Sequence, residues 1–208
     1  MNNTTRVVNR TTPFLRKLHS FAGVIPLGIF LCFHMLVNYS ANWGSAPYNT
    51  VGTFLAHMPY KIVLETFIFL PLLFHALYGV YLAFTSSVTV GTFTYFRNWR
   101  YVFQRITGLI ALLFVAWHIY GTKLQVELTG VDPSFAMVAG IVGNPLGLIL
   151  FALGLLCCVY HFVNGLWTFL ITWGITLTPR SQKISEYILI VVFFVFAAFS
   201  MKALFAFV

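Results

Sequence analysis

Four histidines sit inside segments that otherwise read as hydrocarbon: His34 in IFLCFHMLV, His75 in LPLLFHALYG, His118 in LIALLFVAWHIYG and His161 in CCVYHFVNG. A lone imidazole in such a segment is expensive and normally faces a neighbour that bonds it. Four of them, similarly placed in four segments, call for a shared reason. Two neutral imidazoles facing each other across a helix bundle form an axial ligand pair for iron held in a porphyrin, and bundle interiors are where facing helices hold such cofactors. Bonding to iron also removes the cost of an unsatisfied ring nitrogen.

Composition defines the elements that must carry these residues. Of 208 residues, 60% are hydrophobic and 8% are charged, and the mean hydropathy is +0.88. A soluble domain has about 25% charged residues, so the solvent of this chain is lipid. The net charge of +8 is therefore no sign of a nucleic-acid partner, because the basic residues lie at the ends of apolar runs. A helix needs about twenty apolar residues to cross a bilayer. Five such runs are present, at about 18–40, 60–85, 104–124, 146–173 and 185–207. Turn chemistry separates them in NWGSAPYN, SSVTVGTFTYFRNWR, ELTGVDPS and TPRSQK. The first run is long and lacks a small-residue cleavage site, which reads against a cleavable signal peptide. The expected fold class is an all-α membrane protein with a single transmembrane cytochrome-like domain over 1–208. Four helices form the cofactor-binding bundle and a fifth is peripheral.

Basic residues mark the cytoplasmic side. Arg6, Arg10, Arg16, Lys17, Arg97, Arg100, Arg105, Arg180 and Lys183 fall on one side, against Lys61, Lys123 and Lys202 on the other. The N-terminus is expected in the cytoplasm and the C-terminus outside. At 1.5 Å per residue, each histidine lies about 22 Å along its own helix. Because successive helices alternate in direction, His34 and His118 share an outer level while His75 and His161 share an inner one. The two levels are about 15 Å apart in a hydrocarbon core about 30 Å thick. This geometry implies two bis-histidine b-type haems. The chain also repeats itself weakly: HSFAG resembles QRITG, and HALYG resembles HFVNG.

Other residues carry two readings each. His19, Ser20, Arg16, Gln104 and Arg105 cluster at the inner helix ends, where they either bind the inner haem's propionates or anchor the helices at the interface. Gly23 and Gly108 lie at the inner haem's level and either let the porphyrin edge approach or serve ordinary helix packing. Pro26 and Pro71 are candidate kinks. Glu65, near the outer start of the second span, either exchanges protons with a quinone or pairs with Lys61. His57 reads as a solvated loop residue. Trp43, Trp99 and Trp173 read as interface markers. Cys32, Cys157 and Cys158 read as packing residues. No C-x-x-C-H motif or cysteine cluster offers covalent haem attachment or an iron–sulfur site.

The stretches RKLHSFAGVIPLGIFLCFH, LPLLFHALYGVYLAF, RNWRYVFQRITGLIALLFVAWH and HFVNGLWTFLITWGIT resemble the cytochrome b membrane anchors of succinate:quinone oxidoreductases. The nearest type is the single-chain, five-helix, two-haem (b558) anchor of succinate:menaquinone reductases in Gram-positive bacteria, and the resemblance spans nearly the whole chain. It implies axial ligation by His34, His75, His118 and His161, two haem b groups, and menaquinone as the substrate. It also implies a flavoprotein subunit that oxidises succinate and an iron–sulfur subunit that docks on the cytoplasmic face of the bacterial membrane. The stretches TLTPRSQKIS and TYFRNWR are the candidate docking loops. Related enzymes run in reverse, as fumarate reductases. Some relatives place a proton-carrying glutamate two residues before the fourth ligand, where this chain has Val159, which implies electrogenic transfer to menaquinone. Two other classes stay open: a di-haem anchor of another respiratory enzyme (a hydrogenase, formate dehydrogenase or quinol:fumarate reductase), and a haem-free, proton-coupled transporter.

Overall fold

A computed structural model describes residues 11–86, 91 and 95–208. Arg6 and Arg10, and most of the segment from 87 to 94, lie outside the described residues. The described part is helical: α1 (Thr11–Val24), α2 (Pro26–Tyr39), α3 (Ser45–Ala56), α4 (Lys61–Thr85), α5 (Phe96–Ile119), α6 (Gln125–Thr129), α7 (Phe135–Val142), α8 (Pro145–Thr172) and α9 (Pro179–Phe205). Five helical stretches are long and apolar enough to cross a membrane: Pro13–Trp43, Lys61–Thr85, Phe96–Thr129, Pro145–Thr172 and Pro179–Phe205.

Local chemistry marks their ends. Asn144 caps α8 by accepting from the Gly147 N–H at 2.8 Å, with Pro145 at the first turn. Thr178, just before Pro179, and Ser181 in the first turn form a reciprocal capping box at the start of α9. Both are N-terminal signals that satisfy orphan backbone donors. The first span is interrupted at Ile25, just before Pro26, which has no N–H to donate. Helical bonding continues across the break, from Ile25 N to Phe21 O at 2.9 Å and from Ile29 N to Ile25 O at 3.1 Å. This is a kink within one span. Pro71, by contrast, sits within an unbroken α4.

α8 is the central element. It buries Phe151, Leu155, Cys157, Val159, Val163, Asn164 and Trp167, whereas α4 buries no residue. α5 and α9 both pack against α8, and α9 also lies along α2. The fifth span thus flanks the bundle of the other four. Large apolar side chains such as Ile62, Phe67, Leu70, Leu113, Phe194 and Val195 face outward, as expected where the surroundings are lipid.

NWGSAPYN, read from sequence as a turn, runs into α3, and the segment that follows ELTGVDPS forms the further helix α7. α3 and α7 form a cap over the end of the bundle where the first span finishes. Tyr48 of α3 meets Phe207 at 5.0 Å and Phe135 at 6.1 Å between ring centroids. The Phe135 N–H donates to Asn49 Oδ1 at 2.7 Å. Burial pushes the Tyr48 phenol up to about 12. Short helices stapled by aromatic side chains are hard to separate from loops by periodicity alone.

Candidate haem-binding site

The four intramembrane histidines meet in two pairs. His34 of α2 faces His118 of α5, with ring centroids 5.8 Å apart and planes at 71°. His75 of α4 faces His161 of α8 at 6.0 Å and 83°. Two imidazole nitrogens bound on opposite sides of one metal ion, each at about 2 Å, place their ring centroids about 6 to 6.5 Å apart. Both pairs are therefore close to the spacing that a shared ion requires.

The pair His75/His161 is the more fully built. Each ring donates from Nδ1 to a backbone carbonyl on a neighbouring helix: His75 to His19 O and His161 to Gln104 O, both at 3.0 Å. That bond sets the tautomer and leaves Nε2 with its lone pair, as in histidines that ligate metals. A glycine faces each ring. A Cβ at Gly23 would collide with the His75 ring, and a Cβ at Gly108 would lie 2.7 Å from His161 Cε1. One turn beyond each histidine, a further glycine faces the residue that supplied the carbonyl: Gly79 against His19 and Gly165 against Gln104. The weak repeat in the sequence is thus a repeat of contacts. HSFAG and QRITG each provide a carbonyl and a glycine, and HALYG and HFVNG each provide a ring and a glycine.

These residues line a cavity of about 620 Å³, within the range of cofactor pockets, about 300–1,000 Å³. Its lining includes His75, His161, Gly23 and Gly108 together with the polar and basic Arg16, Lys17, His19, Ser20 and Arg105. His19 stacks on His75 with centroids 4.0 Å apart and planes at 4°, and its Nε2 is buried without a hydrogen-bond partner. Arg105 Nη1 donates to Ser86 O at 3.2 Å, and its other terminal nitrogen contacts the Tyr101 hydroxyl.

The pair His34/His118 is drier. Phe30 stacks on His34 at 5.3 Å and Phe114 on His118 at 6.0 Å. Nδ1 of His118 is buried without a partner, so this ring lacks the carbonyl bond that orients His75 and His161. Immediately after His118 the helix widens into a π-turn over Tyr120–Leu124, and Thr122 Oγ1 donates to His118 O at 2.6 Å. π-turns inside helices recur at functional sites, and nothing in the sequence pattern signals this one.

Chemistry at both pairs is constrained by the donor count. Among the described residues no group of three or more His, Cys, Asp or Glu could hold a metal. An ion bound by two imidazoles must take its remaining donors from a non-protein ligand, and a porphyrin supplies four in one plane. The donor set, the Nδ1 bonds, the glycine clearances and the cavity fit a bis-histidine haem at His75/His161. The donor set and the ring spacing fit one at His34/His118.

Other candidates fall elsewhere. Glu65 belongs to an ion cluster at the opposite end of the bundle. Lys123 Nζ lies 2.6 Å from Glu65 and 2.5 Å from Glu127, while Lys61 lies 3.4 Å from Glu127 and 3.9 Å from Glu65. Its nearer partner is thus Lys123, on a different helix from Lys61. His57 is exposed and bonds Thr53 O. Cys157 is buried, Cys158 is partly buried and Cys32 is exposed, all three as free thiols. Trp167, unlike the other tryptophans, is a core residue whose Nε1 donates to Gln182 O at 3.1 Å. The sequence marks Arg100 as a topological charge and as part of the candidate docking stretch TYFRNWR, and it assigns no separate role to Asn164, within HFVNG, or to Glu186. Arg100 is 8% exposed and bonds both. The available signal was an Asn three residues after an intramembrane His.

Comparison with known proteins matches residues 84–200 to the family described as succinate dehydrogenase/fumarate reductase transmembrane subunit. The chain is also 46% identical over 196 residues to the succinate dehydrogenase cytochrome b558 subunit of Bacillus subtilis (strain 168). That match covers 94% of this chain and 96% of the relative.

Proposed function

This chain belongs to the succinate dehydrogenase/fumarate reductase transmembrane subunit family, and from that premise we propose that it is a single-domain, di-haem anchor carrying electrons from an iron–sulfur subunit to menaquinone. The flavoprotein partner oxidises succinate, and this chain provides the membrane passage and the site of quinone reduction. One observation carries the reading: two histidine pairs, at 5.8 and 6.0 Å, lie within a bundle in which no third His, Cys, Asp or Glu among the described residues joins either pair as a metal donor.

His75 and His161 hold the haem nearer the basic end, and His34 and His118 hold the other. When bound, each haem supplies a one-electron iron couple. The chain's own residues do the rest. The carbonyls of His19 and Gln104 hold the two inner rings by their Nδ1 protons, so that each Nε2 is presented as a neutral donor. Gly23 and Gly108 let those rings lie flat against α1 and α5. Arg16, Lys17, His19, Ser20 and Arg105, in the cavity lining, offer cations and donors to propionates through charge-assisted bonds. Phe30 and Phe114 exclude water from the second pair. The basic end, with Arg97, Arg180 and Lys183, faces the cytoplasm and receives the iron–sulfur subunit. Glu65, at the outer end, is the candidate for exchanging protons with menaquinone.

Val159 is fully buried between apolar neighbours and cannot carry a proton back. Electron transfer outward is therefore electrogenic, involving about 2.3 kcal/mol per charge for each 100 mV. A pyridine haemochrome assay and a redox-titrated optical spectrum of the purified complex test the assignment. Two haem b per chain are expected. Substituting His34 or His118 should remove one centre, and substituting His75 or His161 should remove the other. Far fewer than two haems in intact material would overturn it.

A further inference from the structure

The internal repeat is broken in one respect. A chain of hydrogen bonds runs through the second half and ends on His161, and among the described residues the first half has no equivalent. Arg100 Nη1 donates to Glu186 Oε1 at 3.0 Å, and Arg100 Nε donates to Asn164 Oδ1 at 2.8 Å. Asn164 Nδ2 donates to Gln104 Oε1 at 2.6 Å, and Gln104 Nε2 donates to His161 O at 3.0 Å. The His161 ring closes the circuit by donating to Gln104 O. Arg100 and Asn164 are 8% and 4% exposed, and the guanidinium carbon lies 3.9 Å from the Trp167 ring centroid. In the register that aligns His19 with Gln104 and His75 with His161, the positions of Arg100 and Asn164 hold Leu15 and Tyr78.

A buried Arg–Glu pair is costly in an apolar setting and is weak evidence for stability by itself. If this pair served only to join α5, α8 and α9, bonds among Arg100, Glu186 and Trp167 would suffice. Instead the chain continues through two amides. It grips the same residue from both sides, by its carbonyl and by its ring. Each link uses a donor and an acceptor in only one sense, so the arrangement admits a single orientation of both amides.

We propose that Arg100, Asn164 and Gln104 are positioning residues for His161, fixing the rotation of its imidazole and so the properties of the inner haem alone. This rests on the proposed role of His161 as an axial ligand. His75 makes the matching ring bond to His19 O, but among the described residues no side-chain tether holds its own backbone carbonyl, because the partner position is occupied by the stacked ring of His19. The two ligands of one iron are therefore held unequally, and the tethered one sets the angle between the ring planes. That angle governs the low-field electron paramagnetic resonance signal of a low-spin bis-imidazole haem. Outer-shell partners of metal-binding histidines change affinity or activity 10- to 100-fold when removed, an order-of-magnitude guide.

The test uses the complex assembled with its soluble subunits and extracted from membranes. Asn164→Ser cuts the chain between Arg100 and Gln104. Arg100→Lys keeps the charge beside Glu186 but has no Nε to reach Asn164. Trp167→Phe serves as the packing control, because it keeps the aromatic face under Arg100 and leaves the chain intact. Haem is counted first on the unaltered complex; fewer than two per chain there would refute the di-haem function, which is a separate failure from that of the network.

The first two variants should each shift the resonance signal of the centre that His161 substitution removes. They should also change its reduced-to-oxidised ratio at fixed ambient potential by about tenfold, equivalent to about 59 mV for one electron. The other centre and the Trp167→Phe complex should be unchanged. Selective loss of the inner haem would equally support positioning. Unchanged centres in both variants, equal shifts of both centres, an equal shift in Trp167→Phe, or failure of both variants to assemble would overturn it.

Discussion

Replacing Gly108 by alanine separates ligand geometry from overall stability. The added Cβ would lie 2.7 Å from Cε1 and 3.0 Å from Nδ1 of His161. Carbon atoms rest in contact at about 3.5–4.0 Å, so the ring would have to retreat by about 1 Å. The Nδ1 bond to Gln104 O, now 3.0 Å, would stretch past the range of a hydrogen bond, about 3.2 Å. Metal–ligand distances tolerate only about 0.2 Å. The geometric effect is therefore several times the tolerance, whereas the energetic one is small. Overpacking costs about 1–3 kcal/mol, and replacing a helical glycine by alanine returns about 1 kcal/mol. The chain should still insert and assemble while the inner centre is lost or displaced. Haem stoichiometry and the reduced optical bands of the purified complex measure this, with Gly140→Ala as control, because nothing lies within 4 Å of a Cβ there. The expected result is one perturbed centre, the one that His75 or His161 substitution removes. Two unchanged centres in Gly108→Ala, or selective loss of the centre held by His34 and His118, would refute the reasoning.

Gly154→Ala should act on the other centre: its Cβ would strike the Phe114 ring, which stacks on His118, so spectra should show the outer band altered and the inner one intact. Dissipating the membrane potential with an uncoupler should slow succinate oxidation by intact cells, and an unchanged oxygen-uptake rate would rule out electrogenic transfer. Lys123→Met should leave Glu65 with only the 3.9 Å contact to Lys61. The loss in stability should be at most about 1 kcal/mol, as for partly exposed ion pairs, read as a small fall in the thermal midpoint of the complex. At alkaline pH, Tyr48 ionises near 10 when unfolded but at about 12 in place. Its raised value means stability is fully present below pH 10 and declines between about 10 and 12; phenolate absorbance and helix content should show a tyrosine titrating in that window as the cap of α3 and α7 loosens.

What the sequence determined was set by two lengths, the rise of a helix and the thickness of a bilayer. These are properties of the surroundings and of any apolar helix, so the five spans follow from composition alone. They also give the depth of each histidine, and depth matches His34 with His118 and His75 with His161, the rings that the structure brings together. The repeat of HSFAG with QRITG and of HALYG with HFVNG was visible too, but its meaning was not. Periodicity does not say that Gly23 and Gly108 face imidazole rings rather than empty space. Nor does it say that the carbonyls of His19 and Gln104 accept ring protons. Those facts depend on how α1 and α5 are rotated about their axes against α4 and α8, and a helix's rotation is decided by the shapes of its neighbours. The same holds for Arg100. Its charge marked a membrane end in sequence, and only the approach of α8 and α9, carrying Asn164, Trp167 and Glu186, turned that charge inward. The ion cluster around Glu65 and Lys123 joins residues 58 positions apart, and the π-turn after His118 has no local signature. Both arise because side chains on separate helices must settle their polar groups together, and no single segment contains that information.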